Sequence, residues 1–244
     1  MTNLVLDIGN SSLKAAFAKG SRIGETFRYN GEDIYGYVLN LAAGKRVNTI
    51  SLSSVRDLPL ELLNRLRELC EELLIVRGDS DLPVRNLYNT PQALGPDRIS
   101  AAAGASAMFP GRDCIIFDFG TALTIDFLSK EGEFTGGNIS PGMRTRLRAL
   151  NSYTGKLPLV SPTGEVAALG KDTISAIESG TILGLIFEIE GYISRYPRNT
   201  IIFTGGDAIY FAEKMKSPIF VVYNLVLIGL AHIAEYNAKK KFNF

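Results

Sequence analysis

The stretch Leu4–Phe17, LVLDIGNSSLKAAF, places a single carboxylate, Asp7, at the end of an apolar run and follows it with a small polar turn, Gly9 to Ser12. A carboxylate at the end of a buried strand is costly unless it meets a cation or hydrogen-bond donors. The pattern returns at Ile115–Leu128, IIFDFGTALTIDFL, where Asp118-Phe119-Gly120 takes the place of Asp7-Ile8-Gly9. Each copy leaves its turn in a second strand, LKAAFA or LTIDFL, with a charged turn and a third strand beyond. A repeat at about half the chain length predicts two similar domains. Pro110 and Gly111 in MFPGRD punctuate the chain between them, so the expected division is 1–110 and 111–244.

The 244 residues are long enough for two modest domains, with 46% hydrophobic and 21% charged residues, as in an ordinary globular protein. A net charge of +1 gives no bulk electrostatic case for nucleic acid or a membrane surface. No apolar run approaches the roughly 18 residues of a membrane span. The chain opens directly into a strand, so a cytoplasmic location is expected. Cys70 and Cys114 sit in apolar surroundings and read as core residues, not a disulfide framework. The single histidine, His232, supports neither a metal cage nor a catalytic triad and reads as a helix-packing residue.

Strands are expected at 3–8, 12–18 and 23–29, at VNTISLSSV and LIVRG, and at NTIIF and IFVVYN near the C-terminus. LELLNRLRELCEELL reads as one amphipathic helix, and helices are also expected from Arg98 through the alanine-rich ISAAAGASAMF, in MRTRLRAL, over DTISAIESGTILGLIFEIEGYISRY and over the closing LVLIGLAHIAEYNAKKK. Strands followed by helices, twice, argue an α/β architecture with mixed sheets.

Four segments could carry chemistry. The two Asp-x-Gly loops, with Asn10, Ser11, Ser12 and Thr121 as donors and Gly9 and Gly120 for close approach, could hold phosphate oxygens and a hydrated metal ion from two sides. The alternative is a pair of turns capping strands. There is no Walker A loop: GKDT at Gly170 lacks the upstream glycine and has Asp172 where Ser or Thr belongs. TGGDA, Thr204–Ala208, offers a glycine platform and a helix start for a nucleoside or phosphate, or else an ordinary turn with Asp207 as N-cap. In YNTPQALGPDRIS, Asp97 and Arg98 stand at the head of a helix. They could supply a general base and an anchor for an anion, or an N-cap beside a solvated arginine. Arg144, Arg146 and Arg148 read as a solvated helix face.

These motifs, in this order, resemble the acetate and sugar kinase, Hsp70 and actin superfamily: DIGNSSLK its first phosphate motif, FDFGTALTID its second, and FTGGDA its adenosine motif. Within it, YNTPQALGPDR, GGNISPGM, TGKLP and GKDTISAIESG resemble type III pantothenate kinases over essentially the full length. The resemblance implies two ribonuclease H-like (actin-like ATPase) domains with five-stranded mixed sheets flanked by helices. It implies ATP-dependent phosphorylation of pantothenate to 4'-phosphopantothenate, the first step of coenzyme A synthesis, by a homodimer that uses Mg²⁺ and a monovalent cation, K⁺ or NH₄⁺. Carried over by motif, Asp97 is the general base, and Tyr88, Gly95, Pro96, Asp97 and Arg98 line the pantothenate site, with Thr173 reaching substrate from the dimer partner. Asp7, Ile8, Gly9, Asn10, Ser11, Ser12, Leu13 and Lys14 hold ATP phosphates together with Thr121, Gly205 and Gly206. Asp7 orients Mg²⁺ through water, and Asp118 binds the monovalent cation. Ser11 stands where the family more usually has threonine, and Lys14 falls at a variable position. The competing readings are a kinase of another small hydroxylated acid or sugar, and a catalytically silent nucleotide-binding accessory factor.

Overall fold

The computed structural model describes residues 2–242, with the side chain of residue 242 outside the description. The chain forms β1 (Asn3–Ile8), β2 (Leu13–Lys19), β3 (Arg22–Tyr29), α1 (Ile34–Ala42), β4 (Val47–Ser54), α2 (Leu60–Glu68) and β5 (Cys70–Ile75), then β6 (Arg85–Asn86), a single 3₁₀ turn at Pro91–Ala93 and α3 (Pro96–Met108). The second half contributes β7 (Cys114–Phe119), β8 (Ala122–Leu128), β9 (Glu133–Pro141), α4 (Met143–Tyr153), α5 (Thr173–Arg195), β10 (Thr200–Gly205), α6 (Ala208–Ala212), β11 (Phe220–Val221) and α7 (Leu225–Phe242).

The first sheet has the order β3-β2-β1-β4-β5, with β1–β2–β3 an antiparallel meander and β4 and β5 added in parallel. Every residue of β1 is buried, as the apolar run Leu4–Leu6 requires of a central strand covered on both faces, and the polar Asn3 and Asp7 are buried with it. On one face Leu4, Leu6, Ile8, Leu13, Ile50 and Leu52 meet Ile34 and Val38 of α1 and Leu62 and Leu66 of α2. The other face lies against α3 and α7. The second sheet repeats the scheme as β9-β8-β7-β10-β11, with β6 as a sixth strand on the β9 edge instead of the five expected. Its second-unit core is aromatic: Phe117 and Phe119 both pack edge-on to Phe203, at 5.2 and 4.8 Å, and Phe119 stacks on Phe211 at 5.0 Å.

The chain divides into two compact units, but not into two continuous segments. Among the described residues, the first unit comprises those within 1–112, 126–136 and 224–244; the second comprises 113–125 and 137–223. The reason α7 returns to the first unit is its contact with α3. Gly104 and Gly229 let the two backbones touch, and a Cβ on either would run into Leu225 or Ser100 carbonyl oxygen. Two expected elements change. The helix read through LELLNRLRELCEELL stops at Glu68, because Cys70–Ile75 instead pairs in parallel with the open edge of β4. The last strand shrinks to Phe220–Val221.

Candidate active site

In the first unit, Asp7 lies at the carboxyl end of β1 and is 9% exposed. Its register partners are Lys14 on β2 and Ser53 on β4. Side chains in such register share one face of a sheet, so Lys14 and Ser53 are the neighbours of Asp7 on that face. Ser53 is fully buried, and its Oγ has no hydrogen-bond partner among the described residues. Gly9 N–H closes the turn on Ser12 carbonyl at 3.0 Å, and Val55 N–H ties the end of β4 to Ile8 carbonyl at 3.1 Å. Arg56 donates to the carbonyl of Asn10. Ile8 and Leu13 are buried in the core, so within this loop they can offer a ligand only backbone.

The Gly95–Arg98 segment opens α3. Gly95 is the N-cap residue and Pro96 the first helical residue, where a missing N–H costs nothing. Asp97 therefore stands inside the first turn instead of capping it, where the helix N-terminus favours a carboxylate. Its Oδ1 accepts the backbone N–H of Arg98 at 2.9 Å. A Cβ at position 95 would stand 2.6 Å from that same oxygen, so glycine makes room for the carboxylate. Burial pushes the Asp97 carboxyl above its ordinary value, against the opposing pull of the Arg98 N–H and charge. Arg98 is not a solvated residue: it is 6% exposed. Its Nε and Nη2 both donate to Asp126 Oδ1, at 2.9 and 2.5 Å. The rings of Tyr88 and Phe134 lie 5.8 and 5.7 Å from its guanidinium carbon. Burial works against the arginine charge, but Asp126 and then Tyr88 outweigh it and hold the group above its ordinary pKa.

In the second unit, the carboxyl ends of β7 and β10 bring Asp118 and Phe119 against Gly205. Gly206 N–H donates to Phe119 carbonyl at 2.9 Å. The Gly120–Thr121 turn is held from behind, since Thr121 carbonyl accepts both Gly142 N–H at 3.0 Å and the Thr145 hydroxyl at 2.6 Å. Thr173 is the exposed first residue of α5. Asp172 caps that helix, accepting Ser175 N–H at 3.0 Å, while the Ser175 hydroxyl reaches back to Asp172 N–H at 3.2 Å. The Ser175 amide, then its hydroxyl, hold the Asp172 carboxyl below its ordinary value. Arg144 and Arg148 are exposed as expected, but Arg146 is not part of a solvated face. Arg146 reaches Pro141 carbonyl at 2.8 Å, Ser140 Oγ at 3.2 Å and the carboxylate of Glu188.

Among the described residues, no three His, Cys, Asp or Glu side chains gather into a metal cage. The donor set suits a different mode. Mg²⁺ keeps most of its water and commonly takes one carboxylate besides substrate phosphates, which a single Asp7 beside a phosphate-sized loop can provide. Sequence reading passed over Asp126, Gly142 and Ser53. Asp126 is visible as a charge inside the strand LTIDFL, and Gly142 lies within the motif GGNISPGM, whereas Ser53 carries no local signal.

The strand order 3-2-1-4-5, found in both sheets with helices on them, defines the class: the chain has the actin-like ATPase fold, shared with sugar kinases. The pattern that describes type III pantothenate kinases matches residues 3–195. A type III pantothenate kinase of Phocaeicola vulgatus is 40% identical over 241 residues, covering 97% of this chain and 99% of the relative. Among solved structures, one from Campylobacter jejuni assigned to the Baf family of transcriptional activators has a TM-score of 0.67 at 22% identity, covering 97% of this chain and 99% of that one. The activator of the 2-hydroxyisocaproyl-CoA dehydratase from Clostridium difficile, with bound ADPNP, has a TM-score of 0.54 at 16% identity, covering 100% and 97%. The chain belongs to the type III pantothenate kinase family, enzymes of the first step of coenzyme A biosynthesis.

Proposed function

We propose that this chain transfers the γ-phosphoryl group of ATP to the primary hydroxyl of pantothenate, with Asp97 as general base. The observation that carries the residue assignment is Asp97 itself: a half-buried carboxylate at a helix N-terminus, pushed up in pKa by burial, beside a rigidly held arginine. A base is most useful when its pKa is raised toward the working pH. Asp97 Oδ1 is engaged by Arg98 N–H, so the hydroxyl proton goes to Oδ2. Arg98 attracts the carboxylate of pantothenate, and Tyr88, Gly95 and Pro96 line the same site. Phosphoryl transfer asks a protein mainly to position groups and neutralise charge. The Gly9–Ser12 turn, Lys14, Thr121, Gly205 and Gly206 position the nucleotide. Mg²⁺ and a monovalent cation, when bound, neutralise the phosphates, the first held by Asp7 through water and the second by Asp118.

The active species is a homodimer in which Thr173 reaches the partner's pantothenate. Exposed apolar side chains of the second unit, Ile139, Tyr153, Ile174 and Phe187, are suited to burial against a second copy. No helix among the described residues is long and apolar enough to cross a membrane, and we place the enzyme in the cytoplasm. A coupled assay of ADP release with pantothenate, a panel of sugars and other hydroxy acids, in the presence of K⁺ or NH₄⁺, tests the reading. Pantothenate-dependent release is expected; release that needs a sugar, or none at all, would sink it.

A further inference from the structure

We infer that Asp126 is a positioning residue for acceptor binding, acting by locking the guanidinium of Arg98 in the orientation that receives the acceptor's carboxylate. The inference rests on the assignment of Arg98 to the acceptor site. Two donors of one guanidinium, Nε at 2.9 Å and Nη2 at 2.5 Å, converge on a single oxygen of Asp126. That contact fixes one edge of the planar group, and with it the plane. The two side chains are 6% and 1% exposed, so neither is held by chance at a wet surface. The Tyr88 and Phe134 rings restrict the guanidinium further.

Stability alone does not explain the arrangement. Two charges removed from water make a weak contribution to folding, and a well-packed apolar pair often serves as well or better. What the pair supplies is pre-organisation: an arginine that need not be ordered when the anion arrives. Arg98 N–H also holds Asp97 Oδ1, so the lock on Arg98 reaches the residue that takes the proton. Lysine could not replace Arg98 here, because an ammonium has no rigid fork to share between Asp126 and a substrate.

Steady-state kinetics of the purified full chain test this with Asp126→Asn, Asp126→Glu and Arg98→Gln, varying pantothenate and ATP separately. Asp126→Asn is expected to raise the KM for pantothenate tenfold or more, with the KM for ATP within twofold and a smaller change in kcat. Asp126→Glu, which keeps the charge on a stem one methylene longer, should fall between parent and Asn variant. A merely structural role would lower the thermal midpoint and the active fraction, hence apparent kcat, but not that KM. A folded Asp126→Asn whose pantothenate KM stays within twofold of the parent overturns the inference. Should that variant fail to fold, Asp126→Glu decides on the same twofold limit. If Arg98→Gln also leaves the pantothenate KM unchanged, the assignment of Arg98 fails and takes the inference with it. If Arg98→Gln raises it and the Asp126 variants do not, only the inference fails.

Discussion

Gly205 lies directly against Asp118: a Cβ at 205 would meet the Asp118 carboxylate and stand 2.5 Å from both N and O of Phe119. The backbone there has φ +92°, which side chains rarely adopt. Two independent penalties therefore fall on Gly205→Ala, roughly 1–2 kcal/mol for the backbone and more for displacing the end of β7. The displaced group is the proposed monovalent-cation ligand. Gly205→Ala should lower the thermal midpoint, weaken ATP binding at least tenfold by calorimetry, and blunt activation by K⁺. An alanine variant with parental nucleotide affinity would separate this turn from the nucleotide site.

Gly142 offers a cleaner test of the second phosphate loop, because its own φ of −67° is ordinary. A Cβ there would run into Gly120 carbonyl and stand 2.9 Å from Thr121 carbonyl, so the penalty is purely steric and falls on the loop. Gly142→Ala should raise the KM for ATP several-fold while leaving that for pantothenate within twofold. Thr145→Val, which removes one hydrogen bond to Thr121, should do the same more weakly, at about 1 kcal/mol. Equal effects on both substrates would mean that the loop carries general stability rather than phosphate.

The parts of this fold that were legible in the sequence are those written in local pattern. β1 and β7 announce themselves as apolar runs ending in Asp-x-Gly, and their repetition at matching positions reveals two like sheets. The parts that were not legible depend on partners far along the chain. Leu69 and Leu73 continue the helical spacing of α2, yet Cys70–Ile75 is a strand because β4 has an edge to fill. β6 is two residues long and exists only through its pairing with Glu133 and Phe134. α7 joins the first unit through the Gly104–Gly229 contact, which no period in the sequence encodes. The same holds for the site: Asp97 is visible in GPDR, but the burial of Arg98 follows from Asp126, 28 residues away.

The raised pKa of Asp97 gives a signed pH dependence. The base works only when ionised, so pantothenate kcat/KM should fall as pH drops through a value above about 3.9, the ordinary aspartate figure. Asp97→Asn should lose this limb together with about 10²–10⁴ of the rate, while ATP affinity survives. The stability effect has the opposite sign to the activity effect. A carboxyl raised on folding contributes stability below its unfolded pKa, and that contribution is lost as pH rises through the folded value. At neutral pH the Asn variant should melt no lower than the parent. A lower midpoint, or full activity, would remove Asp97 from the role of buried base.

The face of α5 that bears Phe187 decides whether assembly and catalysis are linked. Phe187 is 64% exposed, and Gly180 and Gly191 lie on its side of the helix, two turns and one turn away. A Cβ on Gly180 or Gly191 would meet nothing within 4 Å, so that surface is open to the close approach of another helix. The next residue, Glu188, is engaged by Arg146 and Ser140, which anchors α5 to α4 and to the end of β9, and Gly184 faces the same Arg146. Thr173 heads the same helix. Phe187→Asp puts a charge where a second copy would bury an aromatic ring, and light scattering should report a monomer of half the parental mass. If Thr173 acts across the dimer, that monomer should bind ATP with parental affinity yet lose pantothenate phosphorylation by at least two orders of magnitude. A fully active monomer would confine Thr173 to its own chain; a variant that remains dimeric would move the interface off this face of α5.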